Sequence, residues 1–418
     1  MIPQTPSYWV LLLFLLLAIV NSNCDESISN QNVPPRLSLV SETSSQANDL
    51  AATQTALAKA ATWLWKQQAK DGGWHSANYA VLRSGQAYTP FVLHQLLLVP
   101  EKIVSRPPEG VARALNFIRQ HTNDDGVIGM SDPDVLEYPN YSTSYALRCL
   151  VLAGRDEDRD LILRMRRYLV NQQFREATGF KPTHLAFGGW GFGGIRPLGD
   201  PGHIDLAHTR RVLQALRESA SFAESPQDDV EVFARAEQFL RLMQKHPDDN
   251  RPHPASNTAD EPSTAPFDGG FFFSPIVLAA NKGRLEQDSK RPPHFRSYAT
   301  TTCDGLLALL SAGVSIDDKR VQAAVDWLRC HPELNNPPGI PLDHPEPWGA
   351  ALYYYHLSVR AEVHRALQLN VKQQNEIAAL LISQQHSDGR FQNNRSALMK
   401  EDDPILATTL ALVGLSLF

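Results

Sequence analysis

Residues 59–74 read KAATWLWKQQAKDGGW. Trp63 and Leu64 belong to the apolar face of a helix, and Gln68 follows near its end. Asp71-Gly72-Gly73-Trp74 then supplies the glycine-rich turn that stops it. The same theme closes the chain as EIAALLISQQHSDGRF, with Gln385 and Asp388-Gly389-Arg390-Phe391. Weaker copies lie between. ARALNFIRQHTNDDG carries Gln120 and Asp125-Gly126, and RRYLVNQQF carries Gln173, answered by Gly188-Gly189-Trp190-Gly191. ARAEQFLRLMQKH carries Gln244, answered by Asp268-Gly269-Gly270-Phe271, and VQAAVDWLRCHPEL has Trp327 but no Gln.

A second, more apolar helix follows each copy: TPFVLHQLLL, STSYALRCLVLAG, DLAHTRRVLQAL, TTTCDGLLALLSAG, ALYYYHLSVRA and PILATTLALVGL. Units recurring at roughly 50–90 residues are the mark of a repeat architecture. Helices apolar on all sides belong inside, and amphipathic ones outside. The pattern predicts an all-α protein, a double-walled α/α toroid of helical hairpins with a central cavity, over residues 52–418. Two polar insertions, 246–266 and 281–294, fall in the fourth unit and are expected over one mouth of the barrel.

The Gln…Asp-Gly-x-aromatic element resembles the QW motif of squalene-hopene cyclases and its counterpart in protein prenyltransferase β subunits. Gln68 with Trp74 and Gln385 with Phe391 match well. In that family the Gln caps the outer-helix end and the aromatic staples neighbouring repeats. GGWGFGG (188–194), DGGFFFSP (268–275), FRSYATTTCDGLLALLSAG (295–313) and EDDPILATTLAL (401–412) also resemble blocks of planctomycete-type prenyltransferase/squalene-oxidase-repeat proteins. The resemblance implies a toroid and, by analogy, an isoprenoid or other lipid ligand.

The reactive groups of such relatives stand at the starts of the inner helices. Class II cyclases carry a DxDD motif there, whose crowded carboxylates keep one acid protonated. The comparable stretch here is Tyr298–Asp304, where only a displaced Asp304 is acidic, and DxDD occurs nowhere. Asp402-Asp403, before Pro404, is the nearest acidic pair; it reads either as an acid or as a helix cap. Prenyltransferase zinc needs Asp, Cys and His. Cys303 falls near the cysteine position, but Thr301 and Ala407 stand at the other two, so no metal or cofactor is expected.

His203, Asp205 and His208, with Arg210 and Arg211, cluster at the third inner-helix start. They suit an anion, or Asp205 simply caps the helix. Asp205 and His208 are thus further candidates for catalysis, with His203 and Arg210 for binding. Tyr88, Arg296, Tyr298, Tyr355 and His356 complete the candidate binding residues; aromatic faces in a cavity stabilise a carbocation, although aromatic runs are also core material. The expected function is a toroid acting on an isoprenoid or other apolar substrate, or a non-catalytic one that binds a lipid, glycan or peptide. A sugar-acting toroid would instead need two carboxylates across one cleft.

The apolar run Tyr8–Val20 is shorter than the roughly 20 residues of a bilayer span and fits a signal-peptide core. Residues 1–24 are therefore read as a signal or membrane tether, with Cys24 as a lipidation candidate, and 25–51 as a disordered polar linker. Export to the periplasm or a membrane surface follows. The net charge of −6 provides no basic face for nucleic acid.

Overall fold

In the computed structural model the described residues are 39–249, 251, 254, 267–288, 291–369 and 371–416. The signal-like run, Cys24 and most of the 246–266 insertion lie outside them. The first outer helix, α1 (Leu39–Lys66), starts well before residue 52, so part of the expected linker is helical. No described helix is long and apolar enough to cross a membrane.

Six helices form a closed inner ring: α2 (Tyr88–Leu98), α4 (Pro139–Ala153), α6 (Leu206–Glu218), α8 (Ala299–Ala312), α11 (Tyr353–Leu367) and α13 (Pro404–Leu415). Each packs on the next, and α13 returns to α2. Outside them stand α1, α3 (Pro108–Gln120), α5 (Arg159–Asn171), α7 (Pro226–Met243), α9 (Lys319–Cys330) and α12 (Val371–Gln384). A short turn of helix, α10 (Trp348–Ala351), precedes α11. The division follows sequence pattern. In α8 every residue from Ala299 to Leu309 is buried, whereas α3 buries only Gly110, Ala114, Leu115, Phe117 and Ile118.

The repeated glutamine explains how the ring holds. Gln68 Nε2 donates to the Gly72 carbonyl of its own turn at 2.9 Å and to Gly110 of the next outer helix at 2.8 Å. Gln173 bridges Gly188 and Val232, Gln244 bridges Gly269 and Arg320, and Gln385 bridges Gly389 and Ala56. The last bridge joins the final repeat to the first. Each turn glycine fits tightly. Gly389 has φ +99°, and a Cβ there would stand 2.5 Å from the Lys59 carbonyl oxygen. The second repeat departs from the pattern: Gln120 is exposed, and among the described residues no glutamine bridges the turn at Gly126.

A threonine latch, not evident from the repeat motif, ties five of the six turns to the inner helix that follows. The N–H of Trp74, Ile128, Trp190, Phe271 and Phe391 donates to the hydroxyl of Thr89, Thr143, Thr209, Thr302 and Thr408, respectively. The insertion at 281–294 is more ordered than a plain loop. It contains strands β1 (Leu285–Asp288) and β2 (Arg291–Phe295), paired antiparallel with Leu285 opposite Phe295.

Candidate active cavity

The N-terminal ends of the inner helices surround a cavity of about 410 Å³. All six contribute to its wall, through Tyr88, Tyr141, His208, Asp304, Tyr355 and Leu406 among others. The lining is mainly apolar and aromatic, with Phe91, Tyr138, Phe192, Phe273 and Tyr298 adding rings. A few ionisable groups interrupt it.

Asp205 caps α6, its Oδ1 accepting the His208 backbone N–H at 2.8 Å. Its Oδ2 meets Nδ1 of His208 at 2.8 Å and of His203 at 3.1 Å. Burial opposes its charge, but the two histidines outweigh that and hold the carboxyl well below the usual range.

Asp304 lies in the second turn of α8. It accepts the Tyr355 hydroxyl at 2.8 Å and pairs with Arg210 Nη1 at 2.7 Å. Arg210 also reaches Glu362 at 2.6 Å. Burial raises the Asp304 carboxyl against the pull of Arg210 and Arg211. Glu362 is only partly buried, and the same two arginines hold its carboxyl well below the usual range. These side chains form an ion cluster of two arginines and two carboxyls, of which Asp304 and Arg211 reach the cavity wall, the arrangement in which buried charge is tolerated.

Glu401 is 1% exposed, and its carboxyl accepts the N–H groups of Tyr354 at 2.9 Å and Tyr355 at 2.8 Å, plus Asn393 Nδ2 at 3.0 Å. Burial pushes it up to about 7 despite those donors. It has no cationic partner within ion-pair distance among the described residues. A carboxyl half-protonated near neutrality, on an aromatic wall, is equipped to donate a proton.

Solved structures of type II terpene cyclase MstE from Scytonema match this chain. A variant in complex with geranylgeranyl dihydroxybenzoate (substrate) aligns over 88% of this chain and 98% of its own, at 13% identity and TM-score 0.54. The apo enzyme matches over the same shares at 15% identity and TM-score 0.52. The fold is the terpene-cyclase α/α toroid. A third structure, a variant with merosterolic acid A (product), aligns over 88% of this chain and 97% of its own, at 14% identity and TM-score 0.51. No protein-family model and no curated sequence matches the chain.

Within the toroid, Tyr88, His203, Asp205, His208, Tyr298 and Tyr355 come together on the cavity wall. Five other expected site residues do not line it. Asp403 caps α13 through the Ile405 N–H at 2.9 Å and accepts the Ser76 hydroxyl, while Asp402 accepts the Tyr79 hydroxyl. Arg210 is buried behind the wall in the ion cluster, and its neighbour Arg211 takes the lining position. Arg296 leaves the ring with its side chain 43% exposed and pairs with Glu286 on β1. His356 turns outward, donating Nε2–H to the Glu333 carbonyl at 3.0 Å; burial, then Arg360, lowers it to about 3.

Sequence reasoning missed Glu401 and set Asp304 aside. A lone acid inside TTTCDGLLALL was itself a signal, since charge buried in an apolar helix demands a partner. The described residues contain no group of three His, Cys, Asp or Glu side chains placed to hold a metal ion. Cys303 is a buried free thiol, pushed up to about 12 by burial.

Proposed function

We propose that this protein takes an isoprenoid-like apolar chain into its central cavity. The observation that carries this reading is the aromatic-walled cavity of about 410 Å³, within the 300–1,000 Å³ typical of ligand sites. The structures similar to it in fold include one holding a geranylgeranyl compound, which supports the class of ligand. Solvent extraction of the purified protein, followed by mass spectrometry, tests the reading. A polyprenyl lipid recovered in near-equimolar amount agrees with it. Protein that recovers no lipid and binds neither squalene nor geranylgeraniol contradicts it. The run Tyr8–Val20 supports export as the route to that ligand.

A second reading, acid-started cyclisation, is favoured by Glu401 in that wall. A buried carboxyl raised to about 7 has a proton to give, and the surrounding rings offer π faces to a carbocation. Asp304 is the less suitable donor, because its ion pair with Arg210 favours the charged carboxylate over the protonated form. Replacing Glu401 with Gln should leave lipid binding intact and lower turnover of a linear polyprene by at least about 100-fold. Unchanged turnover would exclude Glu401 as the acid.

A further inference from the structure

The start of α6 carries a cluster that ligand binding alone leaves without a task. Capping the helix requires only one oxygen of Asp205, yet the second is taken up by two imidazoles. A carboxylate accepts only, so Nδ1 of His208 must be the donor at 2.8 Å. The Nε2 lone pair of a neutral His208 is then left to act. Among the described residues no hydrogen bond or ion pair engages that Nε2. The ring lines the cavity, with Phe192 at 4.8 Å, Tyr138 at 6.1 Å and Tyr141 at 6.2 Å between centroids.

We infer that His208, held by Asp205, is the base that ends an acid-started cyclisation by removing a proton from the ligand. The inference rests on the second reading above. The placement of the two groups supports it independently. The Glu401 carboxyl is held at the start of α11, two helices away from α6 around the ring. Acid and base therefore stand on non-adjacent stretches of the cavity wall. A polyene cyclisation carries positive charge away from the carbon first protonated, so its last proton has to leave at a distance from the acid.

The steps balance. Glu401 gives its proton to a terminal alkene carbon, whose π pair forms the new C–H bond. Neighbouring double bonds attack the resulting cation, forming C–C bonds and passing the charge onward. His208 Nε2 takes a proton from the carbon beside the last cation, and that C–H pair becomes a C=C bond. The imidazolium is neutralised by Asp205 and returns its proton to Glu401 through solvent. The product is an isomer of the substrate, and no co-reactant is consumed. Asp205 acts as a positioning residue.

The test incubates the full chain with squalene and with geranylgeraniol in D2O. The wild type is expected to form a cyclic isomer containing one deuterium. His208→Ala should lower the olefin yield about 100-fold and let water capture the cation, giving a product heavier by one water. His208→Gln keeps a donor for Asp205 but lacks the base, so it should show the same loss with an unchanged melting temperature. Asp205→Asn should move the pH profile of the remaining activity. Wild-type turnover with the same rate and product in both His208 variants overturns the inference and leaves the acid reading standing. No wild-type turnover of either probe overturns both, while lipid binding is judged separately.

Discussion

Glu401, Asp402 and Asp403 are consecutive, yet each carboxyl has a different task. Glu401 reaches back to the N–H groups that open α11, Asp402 meets Tyr79, and Asp403 caps α13. The residue before them, Lys400, has φ +63°, a left-handed value uncommon outside glycine, which redirects the chain. The acidic cluster was legible from the sequence, and so was the cap before Pro404. Which acid entered the cavity was not, because that depends on the path of the turn that contains Lys400 and on the N–H groups it meets at the start of α11. Glu401 also predicts a pH effect. Its folded pKa is raised from 4.5 to about 7, so its contribution is fully present below the unfolded value and is lost as pH rises through about 7. The shift corresponds to about 3 kcal/mol across that window. Urea unfolding at pH 4.5 and 7 should show Glu401→Gln gaining about that much relative to wild type at the higher pH. Parallel pH dependences in the two proteins would rule out the raised carboxyl.

At the scale of elements, the apolar periodicity located every inner helix, and the glutamine repeat located most of the staples. The motif was less informative where one residue type serves two ends. Gln120 looked like a staple and is exposed, while Gln244 is buried and donates to both Gly269 and Arg320. Gln244→Ala leaves two carbonyls without that donor and should cost about 1–3 kcal/mol in denaturant unfolding. Gln120→Ala should stay within about 0.5 kcal/mol. Equal effects would mean that the bridge is not what holds adjacent repeats. The threonine latches were invisible for a different reason. A Thr in an apolar helix reads as neutral filler until the turn that meets it is known. The hairpin β1–β2 was hidden in a polar stretch with no alternating pattern, and Arg296 follows it away from the ring because Glu286 lies on its first strand.

For the whole molecule, closure converts six separate helical mouths into one chamber. The repeat count made the ring predictable, since the last turn has only the first outer helix left to pack against. The contents of the chamber were only partly predictable. Side chains from distant repeats, such as Arg210 with Asp304 and Glu362, compensate one another in ways that appear only when the ring is assembled. The central claim is that this chamber receives an isoprenoid-like chain, and native mass spectrometry with added geranylgeraniol tests it most directly. Ala207 lines the wall, and Ala207→Trp would fill it without removing a polar group. The wild type is predicted to bind one molecule per chain and the Trp variant none. Equal occupancy in both proteins, or none in the wild type whether or not its own lipid has been removed, would contradict the account.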